Sequence, residues 1–231
     1  MSTRSASIVY GLCVAFLLLA SRDIAWACDK PKSSMEATPS DVRAFFKGQG
    51  KTVLTFLGYS GAGYDDEAAL IRHATGILAK YEPRTTIVNI GVTPDGIGRV
   101  YELAKQRRFT TSGIVSTQAR ESNATPSPCV DHVFYVQDSS WGGFVEGSER
   151  LSPTSAAMVD VSDHLVAIGG GEVARDELVA ATRAGKDTKF IPADMSHRIA
   201  LEKAAKKGQT PPTSFRGAAD AAFGDGARVK R

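Results

Sequence analysis

The residues with the most chemical information are glycines in three short segments, each of which follows an apolar stretch and precedes a helical pattern. Glycine lets the backbone approach a ligand closely, and the free N–H groups at a helix start carry a partial positive charge. Three such turns in one chain predict a site for a phosphate-bearing ligand, although a single one is more often only a tight turn. The candidate ligand-binding residues are Gly58, Ser60, Gly61, Gly91, Thr93, Gly96, Gly98, Gly169, Gly170 and Gly171.

Glu177 is the candidate catalytic residue, because it falls in the first turns of the helix that follows the third glycine segment. A carboxylate there could accept hydrogen bonds from ribose hydroxyls or stabilise an oxocarbenium-like transition state. The alternative is structural, since an acidic residue early in a helix stabilises it by about 0.3–1 kcal/mol without any ligand. Trp141 and Phe144 lie in a polar loop that could cover the site, and an aromatic ring there could stack on a base.

The elements that must position these residues alternate along the chain between strand and helix patterns. Strands are predicted at 53–59, 85–92, 113–117, 132–137, 164–168 and 188–192. Such alternation implies right-handed crossovers and a sheet covered by helices on both faces. We therefore expect a Rossmann-like, three-layer α/β/α domain over 51–208, with a mostly parallel sheet of about six strands.

The two ends of the chain predict different things. Residues 1–27 have a basic start, a short apolar run and a small-x-small site, as in a secretory signal peptide. This predicts a periplasmic or secreted protein. An uncleaved membrane anchor and a lipoprotein lipidated at Cys28 remain alternatives, although the apolar run is shorter than the roughly 20 residues that a spanning helix needs. Residues 28–50 are interpreted as a linker and a short helix, and 209–231 as a disordered basic tail.

Composition narrows the chemistry further. After loss of the leader only Cys28 and Cys129 remain, and they could form one disulfide or stay as free thiols. The four histidines are scattered and no CxxC is present, so neither a metal site nor a resident cofactor is expected. A formal net charge of +3 is too small to predict nucleic-acid binding.

In order and spacing, the three turns resemble the SLOG superfamily, which includes the Lonely Guy (LOG) phosphoribohydrolases of nucleoside monophosphates. The third turn is similar to the LOG sequence P-G-G-x-G-T-x-x-E, of which Gly170, Gly171 and Glu177 are retained. The resemblance covers 52–205 and implies a nucleotide-like small-molecule ligand and a homodimer.

Two departures from the LOG pattern bear on catalysis. Val173-Ala174 replaces the Gly-Thr of the motif, and Thr154-Ser155 stands where LOG enzymes have an Arg-Lys pair. Arg150 and Arg120 are the candidate replacements for the missing arginine.

Three functions follow from these patterns. The first is an exported nucleotide- or nucleotide-derivative-binding domain with little or no catalysis. The second is an exported hydrolase of N-glycosidic bonds, and the third is a secreted structural domain without a ligand.

Overall fold

Seven parallel strands form the centre of the protein in a computed structural model, which describes Cys28 and residues 31–224. The strands are β1 (Ser33–Ala37), β2 (Thr52–Gly58), β3 (Thr86–Ile90), β4 (Thr110–Ser116), β5 (His132–Val136), β6 (His164–Ile168) and β7 (Asp187–Ile191). Their order in the sheet is β1-β5-β4-β3-β2-β6-β7, and every pairing is parallel. The predicted Rossmann-like fold is confirmed.

Helices cover both faces of the sheet. They are α1 (Pro39–Gln49), α2 (Glu67–Leu78), α3 (Val100–Gln106), α4 (Gln118–Glu121), α5 (Pro153–Val161), α6 (Glu172–Arg183), α7 (His197–Lys206) and α8 (Ala218–Phe223), with a 3₁₀ turn at Gly96–Arg99 before α3. Apolar residues of α2 and α3 form the core on one face, and those of α1, α5 and α6 form it on the other. The alternating side chains of the strands supply both cores, which explains why β2 and β3 are buried and mainly apolar on both faces.

The 28–50 segment contains more structure than a linker and a short helix. Strand β1 pairs with β5 at the edge of the sheet, from Ser33 opposite His132 to Ala37 opposite Val136. The sequence did not predict it because an edge strand with exposed residues lacks the apolar pattern of a buried one. Helix α1 begins with a capping box in which Thr38 and Asp41 bond each other's backbone N–H groups.

The prediction of a disordered tail is wrong for 209–224. Helix α8 packs on α6, and Ala219 is fully buried between them. Arg216 holds the segment before α8 in place by forming ion pairs with Asp194 at 2.7 Å and Asp220 at 2.7 Å. Pro and Gly in this segment obscure a helix that exists because of tertiary packing and not because of local propensity.

A disulfide joins Cys28 to Cys129, with their Cα atoms 4.5 Å apart. The sulfur of Cys28 is used in this bond, so in this structure it offers no thiol for a lipid. The signal-peptide prediction at 1–27 and the end of the predicted tail at 225–231 lie outside the described residues. Within the described part of the chain, no helix has the length and apolarity to cross a bilayer.

Candidate functional site

A cavity of about 630 Å³ opens at the carboxyl ends of β2, β3 and β4, beside α5 and the start of α6. The cavity lies beside the point between β2 and β6 where strand order reverses, which is where open parallel sheets bind ligands, although no residue of β6 lines it. Its volume is in the range of about 300–1,000 Å³ that is usual for small-molecule sites. Most of its wall is apolar, with a few polar groups converging on it.

The first glycine turn contributes Gly58 and Ser60 to the cavity wall, whereas Gly61 is not part of it. A Cβ on Gly58 would collide with the Tyr64 hydroxyl and come within 2.9 Å of the Ile168 carbonyl oxygen. Glycine is therefore required here by packing. Gly61 has open space around its missing Cβ.

The second turn contributes Gly91 and Thr93 to the wall, while Gly96 and Gly98 form the turn itself. Gly96 has a φ of +59° and lies directly against the carbonyl of Tyr59, and Gly98 lies directly against the carbonyl of Thr93. No atom comes within 4 Å of a Cβ built on Gly91. A side chain added at Gly91 would thus meet no neighbouring atom where it leaves the backbone.

The third glycine segment packs against the protein itself. Gly169 and Gly170 have φ values of +56° and +129° and leave no room for a Cβ. The Gly170 carbonyl accepts a hydrogen bond from the Ala219 N–H at 3.1 Å, so the start of α8 covers this turn. Gly171 precedes α6 and has open space around it, and no side chain caps that helix. None of the three glycines lines the cavity.

Glu177 lies on the cavity wall although only 4% of it is exposed. Burial raises the pKa of its carboxyl to about 7, against the hydrogen bond from the Ser155 hydroxyl, which lowers it; the nearby charge of Asp176 raises it further. The Ser155 Oγ donates to Glu177 Oε1 at 2.6 Å. A strongly perturbed carboxyl in a cavity is typical of functional sites.

The loop between β5 and α5 is bonded to the two residues beside Glu177, namely Ser155 and Asp176. The Gly143 N–H donates to Ser155 Oγ at 2.7 Å, and the Phe144 N–H donates to Asp176 Oδ2 at 2.8 Å. Trp141 of the same loop lines the cavity and is 52% exposed. The loop thus holds an aromatic face at the cavity, whereas Phe144 does not line it.

Thr154 adds an unusual polar group to the wall. It is 4% exposed, and its Oγ1 has no hydrogen-bond partner. Buried hydroxyls nearly always have a partner, so an unpaired one on a cavity wall is consistent with a partner that a ligand supplies.

Neither candidate arginine belongs to the cavity wall. Arg120 bonds Glu36 at 2.6 Å and stacks over the Tyr135 ring at 4.0 Å. Arg150 pairs through its backbone carbonyl with the Val145 N–H inside the loop. The lining residues that the structure describes include no lysine, arginine or histidine. They also include no cluster of His, Cys, Asp or Glu suited to a metal ion, and none occurs elsewhere in the described chain.

Sequence reasoning singled out Glu177 and Trp141 but missed the contact between Ser155 and Glu177. Thr154-Ser155 attracted notice only as a departure from the LOG pattern. A signal was available, since two hydroxyl residues open a helix that follows directly on the loop from β5. The contribution of Thr125 and Ala124 to the wall had no signal in the sequence.

No protein-family model and no curated protein matches the chain significantly. Among solved structures, it is similar to the molybdenum cofactor carrier protein of Chlamydomonas reinhardtii, with 18% identity over 61% of this chain and 76% of that one, at a TM-score of 0.44. It is also similar to the structural-genomics target TM1055, with 19% identity over 59% of this chain and 72% of that one, at a TM-score of 0.43. Identities and scores this low support no conclusion on ligand or activity.

Proposed function

We propose that the protein is an exported, LOG-like binding domain for a small nucleoside- or nucleotide-type ligand, with little or no catalysis. The observation that carries the proposal is the buried carboxyl of Glu177 on the wall of a cavity at the carboxyl ends of the strands. Export rests on the leader pattern at 1–27 and is also supported by the disulfide, which is typical of oxidising compartments.

The cavity offers three means of recognition to such a ligand. Trp141 can stack on a planar base, as aromatic side chains do with every base. Glu177 and the unpaired Thr154 hydroxyl can bond polar atoms of the base or the sugar. Apolar side chains such as Ile90, Ile97 and Met158 supply the rest of the contact area.

Catalysis is not part of the first proposal because the arginine and lysine of LOG enzymes have no counterpart among the described lining residues. The pKa of Glu177 nevertheless favours a second candidate, a hydrolase of N-glycosidic bonds. A carboxyl with a pKa of about 7 can act as a general acid near neutral pH.

A ligand panel distinguishes these functions. We would record thermal shifts and calorimetric titrations with the four common nucleosides, their 5′-monophosphates and ADP-ribose, and follow released base by chromatography. Binding without base release supports the binding domain. Base release that is lost in Glu177→Gln but kept in Glu172→Gln supports the hydrolase. Glu172 is a matched control because it is an exposed glutamate of the same helix that does not line the cavity.

The place of binding is tested with two glycine variants. Gly91 lines the cavity and Gly61 does not, and both have open space around a built Cβ. We expect Gly91→Leu to weaken any binding at least tenfold and Gly61→Leu to leave it unchanged. No shift with any compound, or equal binding by both variants, would contradict the proposal.

A further inference from the structure

Resting on the proposed function, we infer that the cavity takes a phosphate-free nucleoside- or base-type compound and discriminates against the phosphorylated form of the same compound. The glycine turns have the pattern of a phosphate site, but several of their N–H groups are bonded within the protein, and the third turn packs against the C-terminal segment.

In the first turn, two backbone N–H groups already have acceptors within the protein. The Tyr59 N–H donates to the Tyr64 hydroxyl at 3.1 Å, and the Gly63 N–H donates to the Ser60 carbonyl at 2.9 Å. The Tyr64 hydroxyl in turn donates to the Ile168 carbonyl at 2.7 Å and is held in the core. A buried tyrosine thus stands where an anion could have bonded the backbone.

Three N–H groups of the second turn are bonded within the protein too. The Ile97 N–H donates to the Tyr59 carbonyl at 2.7 Å, and the Gly98 N–H donates to the Asp95 carbonyl at 3.0 Å. The Asp95 N–H bonds the Thr93 hydroxyl at 3.2 Å. These bonds join the first two turns and reduce the number of N–H groups there that could bond a phosphate.

The third turn is closed by the C-terminal segment. The Gly169 N–H donates to the Ile191 carbonyl at 2.8 Å, and the Gly170 carbonyl is bonded by Ala219. Gly217 lies directly against the Gly170 carbonyl and donates its N–H to the Tyr59 hydroxyl at 2.7 Å. Of the two glycines retained from the LOG motif, Gly170 packs against α8 and the start of α6, whereas Gly171 has open space around it; neither lines the cavity.

The charges of the wall oppose a phosphate as well. Asp95 and Glu177 line the cavity, and the described lining residues include no basic side chain. The uncapped start of α6 offers about half a positive charge, which the carboxylate of Glu172 in its first turn offsets. A phosphate dianion would have to leave water for a wall with no full counter-charge.

A neutral ligand fits the same wall. Glu177 can donate a hydrogen bond when protonated and accept one when ionised, and the Thr154 hydroxyl can do both. Ring nitrogens, exocyclic amino groups and sugar hydroxyls are suitable partners for these groups. The mainly apolar remainder of the cavity and Trp141 match an uncharged ring system.

The test compares each nucleoside with its own 5′-monophosphate by calorimetry. With adenosine and AMP as the first pair, we expect adenosine to bind at least tenfold more tightly, with an affinity that hardly changes between 50 and 300 mM NaCl. We expect Asp95→Asn to tighten AMP binding severalfold and to change adenosine binding much less, so that the preference for adenosine narrows. Glu82→Gln is the control, because it removes an exposed carboxylate just before β3, at the amino ends of the strands, whereas the cavity lies at their carboxyl ends.

The outcomes separate this inference from the proposed function. If AMP and the other monophosphates bind as tightly as their nucleosides or more tightly, the inference is overturned while the binding function stands. If no nucleoside and no monophosphate binds, both are overturned. If Glu82→Gln tightens AMP binding as much as Asp95→Asn does, the effect is one of general charge. That result would contradict the role of the cavity wall.

Discussion

Asp131 and Glu177 are both buried carboxyl groups, and their surroundings are opposite. Asp131 is bonded by Lys105 at 2.8 Å, by Lys32 at 3.1 Å and by the Thr111 N–H at 3.0 Å. Burial raises the pKa of Asp131, but the hydrogen bonds from Lys105, the Thr111 backbone and Lys32 outweigh it and hold the pKa at about 2. This carboxylate ties α3 and the start of β4 to the segment before β5.

Glu177 has a single hydrogen-bond donor, Ser155, and a neighbouring acid, Asp176. Without a cationic partner, burial dominates and its pKa rises to about 7. The protein thus satisfies a buried charge fully at Asp131, away from the cavity, and leaves one unsatisfied at Glu177, on the cavity wall. A group that opposes stability and lies in a cavity is a candidate for function, whereas a fully paired one is explained by the fold.

The largest expected effect comes from removing the paired carboxylate. Asp131→Ala leaves the buried Thr111 N–H and the partly buried Lys105 ammonium group without their partner. We expect the free energy of unfolding at pH 7 to fall by about 4 kcal/mol, because breaking a buried ion pair on one side costs about 3–5 kcal/mol. Urea unfolding followed by circular dichroism measures it. A loss below about 1 kcal/mol would mean that Asp131 is not a structural carboxylate.

A smaller effect on the free energy of unfolding is expected from pH. For Glu177 its sign is opposite to that for a carboxylate with a lowered pKa, such as Asp131. The folded protein holds the Glu177 proton more tightly than the unfolded chain, whose glutamate has a pKa near the ordinary 4.5. Stability from this group is complete at low pH and is lost as pH rises towards and through about 7. At about 1.4 kcal/mol per pKa unit, the loss between pH 5 and pH 8 is about 2–3 kcal/mol.

This pH effect is measured as a difference between proteins. Burial lowers the pKa of His132, which therefore contributes in the same range with the opposite slope. Urea unfolding of wild type and Glu177→Gln at pH 5 and pH 8 cancels that contribution, and we expect Gln to be relatively more stabilising at pH 8. Glu172→Gln should behave like wild type at both pH values. If the difference in unfolding free energy between wild type and Glu177→Gln is the same at pH 5 and pH 8, Glu177 is not a buried carboxyl without a cationic partner.

The smallest effect is expected at the one donor that Glu177 has. Ser155→Ala removes the hydrogen bond to Glu177 and the acceptor of the Gly143 N–H. We expect a loss of about 1 kcal/mol in unfolding free energy and a pKa of Glu177 that rises further. Increased exchange of the Gly143 amide proton by NMR would show the release of the loop. Unchanged stability and exchange would mean that the contact fixes neither the carboxyl nor the loop.

The sequence allowed much of the fold to be predicted where local pattern and tertiary position agree. Buried strands such as β2 and β3 are mainly apolar and were predicted, and Asp66 caps α2 after the first glycine turn. Strand β1 and helix α8 were missed because they depend on partners distant in sequence: β1 bonds β5, and α8 packs on α6.

The candidate site was predictable only in part for the same reason. Glu177 could be singled out by its place after the third glycine segment, but its burial and its bond to Ser155 come from the packing of α5 on α6. The glycines were predicted from a real local property, their conformational freedom. Whether a turn faces a ligand or another segment depends on the chain around it, and α8 decides this for Gly170.

Carbon-13 NMR titration of the glutamate carboxyl groups, assigned with Glu177→Gln and repeated with adenosine, is the most direct test of the central claim. We expect the Glu177 signal to titrate near pH 7 in the free protein and to change its midpoint when adenosine is added. A midpoint in the ordinary range near 4, unaffected by adenosine, would contradict an unpaired carboxyl poised in a ligand cavity.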